Sequence, residues 1–140
     1  MEKVEQKYTN RSVTHPVTQD PGITDQHGRS FNYLRIAVNE KCNLRCIYCM
    51  PEKGISFEPQ DKLLTRKEVI RVIQVVAKLG VNKIRFTGGE PLLRKDLVEL
   101  VSGAAETPGI DSINLTTNGI LLANSAKSLK DAGLTGVNVS

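Results

Sequence analysis

Four short segments of this chain alternate apolar and polar residues with a period of two, and in every one the second face is polar. From Tyr33, the side chains of Leu34, Ile36 and Val38 share one face while Tyr33, Arg35, Ala37 and Asn39 share the other. Ile84 and Phe86 oppose Lys83, Arg85 and Thr87; Ile113 and Leu115 oppose Asn114 and Thr116; Val137 and Val139 oppose Asn138 and Ser140. Such alternation reads as strands with one buried side. Parallel sheets are usually apolar on both faces, so parallel strands with a polar second face predict a sheet curving around a wet lumen rather than an open doubly wound sheet.

The segments between these strands predict the parallel arrangement. Thr65 to Leu79 reads as a helix: Thr65 and Glu68 make a capping box, Leu64 and Val69 suit a hydrophobic staple, and Val69, Val72, Ile73 and Val76 form an apolar stripe ended by Gly80. Further helices are expected over Asp96 to Ala105 and around Leu121 to Ala132, the latter closed by Gly133. The strands are expected at Tyr33 to Val38, Lys83 to Thr87, Asp111 to Thr116 and from near Gly136. Strand–helix–strand order at a spacing of roughly 25–30 residues implies right-handed crossovers between parallel strands. The fold class is therefore α/β, with about four parallel strands and three helices of an incomplete barrel. A last strand with no covering helix leaves an open edge, the expectation for a piece of something longer.

Arginines on a lumen face are expensive, on the order of several kcal/mol each if buried without partners. Arg35 and Arg85 therefore read as awaiting an anionic ligand, or else as pairing with lumen carboxylates or facing solvent.

All three cysteines fall in one stretch, Cys42-Asn43-Leu44-Arg45-Cys46-Ile47-Tyr48-Cys49, directly after the first strand. An odd, tightly clustered set is a poor disulfide framework and a natural metal or cluster site in a reducing compartment. Three thiolates can hold three irons of a cubane, whereas a closed cluster needs four, so one iron is left open for a ligand. Strand C-termini are also where barrel active sites assemble. The alternative is a zinc site completed by His15 or His27, although the spacing is not that of a usual zinc ribbon.

The remaining composition narrows the partners. The net charge of +4 is spread along the chain and there is no tryptophan, which argues against base-stacking nucleic-acid recognition. No apolar run approaches the roughly 20 residues that span a bilayer, so no membrane role is expected. Residues 1–24 carry mixed charges with Pro16, Pro21 and Gly22, and resemble neither a secretory signal nor a transit peptide; they read as an irregular N-terminal arm before a core domain over 25–140.

The cysteine spacing, with an aromatic residue before the last cysteine, resembles the radical S-adenosylmethionine (SAM) signature. Gly88-Gly89-Glu90-Pro91 after the second strand resembles that superfamily's SAM-binding turn. The runs Asp25-Gln26-His27-Gly28-Arg29, Tyr33-Leu34-Arg35-Ile36, Met50-Pro51, Lys83 to Leu92, Leu115-Thr116-Thr117-Asn118-Gly119 and Asn138-Val139-Ser140 are similar, more narrowly, to the GTP 3′,8-cyclase family of molybdenum-cofactor biosynthesis. The resemblance covers about Asp25 to the end. It implies a partial radical SAM TIM-like (β/α)6 barrel in which Cys42, Cys46 and Cys49 hold a [4Fe-4S] cluster whose open iron binds SAM. It places Tyr48, Gly89 and Ser140 on SAM, and Arg35, Arg85 and Thr116 on GTP.

Taken alone, Gly88-Gly89 could be an ordinary turn, and Thr116 a strand-end hydroxyl. A side chain at either glycine is expected to obstruct close backbone approach, and Glu90 is suited to receiving the SAM ammonium. The implied reaction is hydrogen abstraction from the GTP ribose by a 5′-deoxyadenosyl radical, followed by attack on guanine to give (8S)-3′,8-cyclo-7,8-dihydroguanosine 5′-triphosphate. The resemblance also implies a cytoplasmic enzyme, a reductant such as flavodoxin or ferredoxin, a downstream cyclic pyranopterin monophosphate synthase, and a homodimer in the full-length family. Family members carry later strands and a second set of cysteines that this sequence lacks, so the chain alone is expected not to cyclise GTP. The rivals are a radical SAM enzyme acting on another substrate, such as a peptide, and a metal-binding or interaction module without catalysis.

Overall fold

A computed structural model describes residues 22–49, 57 and 62–140. The elements run β1 (Tyr33–Ala37), α1 (Arg66–Lys78), β2 (Lys83–Thr87), a 3-10 turn at Pro91–Leu93, α2 (Leu97–Ala105), β3 (Ser112–Thr117), α3 (Leu122–Asp131) and β4 (Gly136–Val139). His15 and Met50-Pro51 lie outside the described residues, as does nearly all of the N-terminal arm.

The strands form one parallel sheet in the order β1-β2-β3-β4. Sequential neighbours with right-handed crossovers bring successive helices to the same side of the sheet, which is how a barrel is built and not how a doubly wound sheet is built. The partial barrel expected from alternation is thus what the chain forms. The first unit is longer than the 25–30 residue repeat, because the cysteine loop and the segment after it intervene between β1 and α1.

The apolar faces of β2 and β3 meet the helices, whereas Val137 and Val139 of β4, at the open edge of the sheet, are exposed. Ile84, Phe86 and Leu115 are fully buried against Val69 and Ile73 of α1, Leu100, Val101 and Ala104 of α2, and Leu129 of α3. The hydrophobic effect acting on this layer supplies the main stabilisation, about 1.5–3 kcal/mol for each large side chain fully buried.

The capping box of α1 is complete: Thr65 and Glu68 exchange side-chain and backbone hydrogen bonds, with Glu68 Oε2 2.8 Å from Thr65 N. Its apolar stripe is shifted from the expected one. Val72 is 40% exposed, and Ile70 packs on the core in its place. The cause is α2, whose Gly103 leaves room for the Ile70 side chain; a Cβ there would lie 2.5 Å from Ile70 Cδ1.

At the base of the sheet, residues 22–32 are joined to the body rather than loose. Ile23 N–H donates to Leu79 O, Phe31 N–H donates to Ile23 O, and Thr24 bridges Ser30. Asp25 closes this turn, accepting from the backbone of His27 and Arg29 and from Arg29 Nε at 2.6 Å.

Candidate active site

The C-terminal ends of the strands carry three loops that lock together. The segment leaving β1 is zipped to the loop after β2: Gly89 N–H donates to Asn39 O at 2.7 Å and Glu90 N–H to Lys41 O at 2.8 Å. The Asn39 side chain reinforces the seam, donating to the carbonyls of Lys41 and Glu90 and accepting from Lys41 N–H, each at 3.1 Å.

This seam explains the paired glycines in a way the expectation did not foresee. A Cβ on Gly88 would strike the carbonyl of Asn39, and one on Gly89 would strike the carbonyls of Glu40 and Lys41. Gly88 also has φ +136°, a backbone region that side chains disfavour. The close approach is therefore to the chain's own backbone, at the root of the cysteine loop.

Glu90 needs the larger correction. The expectation that it receives the SAM ammonium fails, because its side chain is fully buried and already engaged. Oε1 accepts from Thr117 Oγ1 at 2.7 Å and from Leu92 N at 3.0 Å, and Oε2 accepts from Asn118 N at 2.8 Å. The carboxylate staples the loop after β2 to the loop after β3.

Asn118 completes the link to the cysteine loop. Its side-chain amide donates to Asn43 Oδ1 at 2.7 Å and approaches Cys42 Sγ at 3.9 Å. Sequence reasoning missed Asn39 and Asn118 as site residues. The one signal for Asn118 was its place in a turn at a strand C-terminus.

Cys42, Cys46 and Cys49 are free thiols, the first two partly buried and the third exposed. Cys49 N–H donates to Cys46 O at 3.0 Å, giving this stretch a turn. Tyr48 is 82% exposed, and its phenol is pushed up from its ordinary range, first by the hydrogen bond with Cys46, then by the charges of Cys46, Cys49 and Cys42.

On the lumen face, Arg35 stands beside Arg85 in register, and Arg85 beside Asn114. Arg85 Nη1 reaches Thr116 Oγ1 at 3.5 Å, and its guanidinium lies 5.9 Å from the centre of the Tyr33 ring. Arg85 Nε is buried without a hydrogen-bond partner, and among the described residues neither arginine forms an ion pair. Gly89 sits in the loop seam, while Ser140 follows β4 and donates its N–H to Thr117 O at 3.1 Å.

The family model described as the Radical SAM superfamily matches residues 36–140. This chain belongs to the radical SAM superfamily. Over 118 residues it is 50% identical to the GTP 3′,8-cyclase of Listeria monocytogenes serotype 4b and 54% identical to that of Pelotomaculum thermopropionicum. Those matches cover 84% of this chain and 35% and 36% of the relatives. It is also 46% identical over 130 residues to the molybdenum cofactor biosynthesis protein moc-5 of Caenorhabditis elegans, covering 93% of this chain and 22% of that protein. The chain thus spans about a third or less of the curated relatives it matches. Among solved structures, BtrN in an open conformation matches with a TM-score of 0.58 at 26% identity, covering 79% of this chain and 50% of BtrN. BtrN in complex with AdoMet and 2-DOIA gives the same TM-score at 24% identity, over 79% of this chain and 46% of that one.

Radical SAM proteins use SAM and an iron–sulfur cluster, and the residues of this chain fit such a group by their chemistry. Three soft thiols sit on one loop, free of disulfides. Among the described residues no three His, Cys, Asp or Glu side chains gather tightly enough to hold a single ion. Among the described residues, no helix is long and apolar enough to cross a membrane.

Proposed function

We propose that this chain supplies the cluster loop and part of the nucleotide-binding wall of a GTP 3′,8-cyclase. The observation that carries this reading is the register of Arg35 beside Arg85 on the polar sheet face, with Arg85 Nε buried and unpartnered, in a chain whose three free thiols follow the same strand β1. A buried guanidinium nitrogen without an acceptor is costly, and a triphosphate oxygen satisfies both its charge and its hydrogen bond. The high identity to two GTP 3′,8-cyclases supports GTP over a peptide substrate.

Each residue then has a physical task. Cys42, Cys46 and Cys49 would hold the cluster, three protein ligands being one fewer than a closed cluster takes. The exposed Tyr48 ring lies beside the thiols and covers SAM; Gly89 and Ser140 contact SAM from the loops after β2 and β4. Arg35 and Arg85 bind the phosphates, and Thr116, within reach of Arg85, orients the nucleotide. When bound, the cluster and SAM supply the radical hydrogen abstraction from the GTP ribose. The seam of Asn39, Gly89, Glu90 and Asn118 fixes where that chemistry is aimed, since catalysis depends on placement to within a fraction of an ångström. An electron donor such as flavodoxin or ferredoxin and a downstream pterin synthase are the partners this role requires.

Anaerobic reconstitution tests the reading. The chain is expected to take up iron and acid-labile sulfide and, with reductant, to cleave SAM to 5′-deoxyadenosine, with GTP raising its thermal stability. Zinc without iron and sulfide would overturn it in favour of a metal-binding module. Because the chain spans about a third of its cyclase relatives, it is expected not to form cyclised GTP by itself; appearance of that product would refute this part alone.

A further inference from the structure

The bridge from Asn118 to the cysteine loop joins an element that binds no cluster to a thiol that does. Cys42 Sγ faces two N–H donors, Leu44 N at 3.4 Å and Asn118 Nδ2 at 3.9 Å. The Leu44 donor is local to the cysteine loop. The Asn118 donor comes from the loop after β3, far along the chain.

Asn118 is held from three sides. Its backbone N–H donates to the buried Glu90 carboxylate, its Oδ1 accepts from Ile120 N at 3.1 Å, and its amide nitrogen donates to Asn43 Oδ1. An amide so constrained points its second hydrogen in a fixed direction, toward Cys42. N–H donors aimed at a cluster's sulfurs stabilise the electron-rich reduced state and raise the reduction potential.

We infer that Asn118 is a positioning residue that acts through Cys42: it fixes the orientation of this ligand and raises the reduction potential of the cluster. Glu90 is the strut that holds Asn118 in place. The inference rests on the cluster reading above, and it adds a residue from outside the cysteine loop. It also gives the Thr117-Asn118-Gly119 turn a task distinct from substrate contact.

The test is a redox titration of the anaerobically reconstituted protein, followed by electron paramagnetic resonance of the reduced cluster. Asn118→Leu removes the donor at similar volume, and Asn118→Asp replaces it with an acceptor. Both are expected to retain wild-type iron and sulfide content and to shift the midpoint to more negative potential, Asn118→Asp further than Asn118→Leu. Unshifted midpoints with full cluster content would overturn the inference and leave the cluster reading intact. Failure of the wild type to take up iron and sulfide would remove both. If the variants do not fold, the wild type still decides: hyperfine coupling from exchangeable N–H protons of the Asn118 amide to the reduced cluster is expected, and its absence counts against the assignment.

Discussion

The Thr117 hydroxyl donates to Glu90 Oε1 across 2.7 Å, in a place where neither residue is more than 2% exposed. The contact ties the end of β3 to the loop that follows β2. Two adjacent units of the barrel are thereby fastened at the edge where the site lies, not only through their shared core.

Replacing that carboxylate should be felt in stability. Glu90→Gln puts an amide N–H where Asn118 or Thr117 already offers a donor, and one of them loses its partner. A buried donor left unsatisfied costs about 1–3 kcal/mol, so Glu90→Gln should lower the urea midpoint accordingly. A variant as stable as the parent would show that the buried carboxylate is not a structural tie.

Gly89→Ala should be worse. Its Cβ meets two backbone carbonyls, which cannot rotate away as a side chain could, so the root of the cysteine loop must move. We expect a loss of about 2–4 kcal/mol, within the range of severe single substitutions, together with reduced iron uptake on reconstitution. Normal stability and full iron content would place the loop seam elsewhere.

Arg85→Met removes the guanidinium with its unpartnered Nε, along with the Thr116 and Tyr33 contacts, but leaves an unbranched side chain of similar reach. Nucleoside triphosphate affinity, measured by calorimetry, should fall by roughly ten- to a hundredfold, the equivalent of a charge-assisted hydrogen bond of about 1.5–3 kcal/mol. The folded state should hold or gain stability, because an orphaned buried nitrogen is removed. Undiminished affinity would detach Arg85 from the phosphates.

Acid should loosen both ends of the sheet. Backbone donation from Arg29, with help from its guanidinium and from His27 N–H, holds the Asp25 carboxyl below its ordinary value of 3.8. Arg94 does the same to Asp96, first through its hydrogen bond, and the capping contacts of Thr65 do so to Glu68. A folded pKa below the unfolded one stabilises at pH above the unfolded value and loses that contribution as pH falls through the folded value. The melting temperature should therefore decline below about pH 4, and Asp25→Asn should flatten part of that decline. An identical acid profile in the variant would show that the turn contributes nothing.

Much of this architecture can be read from local pattern. Leu34, Ile84, Ile113 and Val137 each announce their strand by alternation, and Thr65 with Glu68 announces a helix start, because those signals lie within a few residues of one another. The polar row from Arg35 to Asn114 is equally legible, since period-two spacing assigns faces before any partner is known. Glu90 and Asn118 are not. Their roles arise where loops from three successive units meet, and nothing near them in the chain encodes which neighbour arrives. Glu90 in particular follows two glycines that suggest a ligand, while beyond the local Leu92 N–H its partners, Thr117 and Asn118, stand more than two dozen residues away. Val72 was misplaced for a related reason: the helix periodicity allows a broad arc, and only the docking of α2 chooses Ile70.

The strict register of the sheet has a consequence for how this protein can change. Arg85 and Phe86 are neighbours in β2, one turned to the wet side and the other to the core. Deleting a single residue ahead of them within the strand would exchange their environments, driving a charge into the oil and an aromatic ring into water. Length changes that preserve both the site and the fold are therefore confined to the connections, and natural or designed diversification of this scaffold must work through its loops.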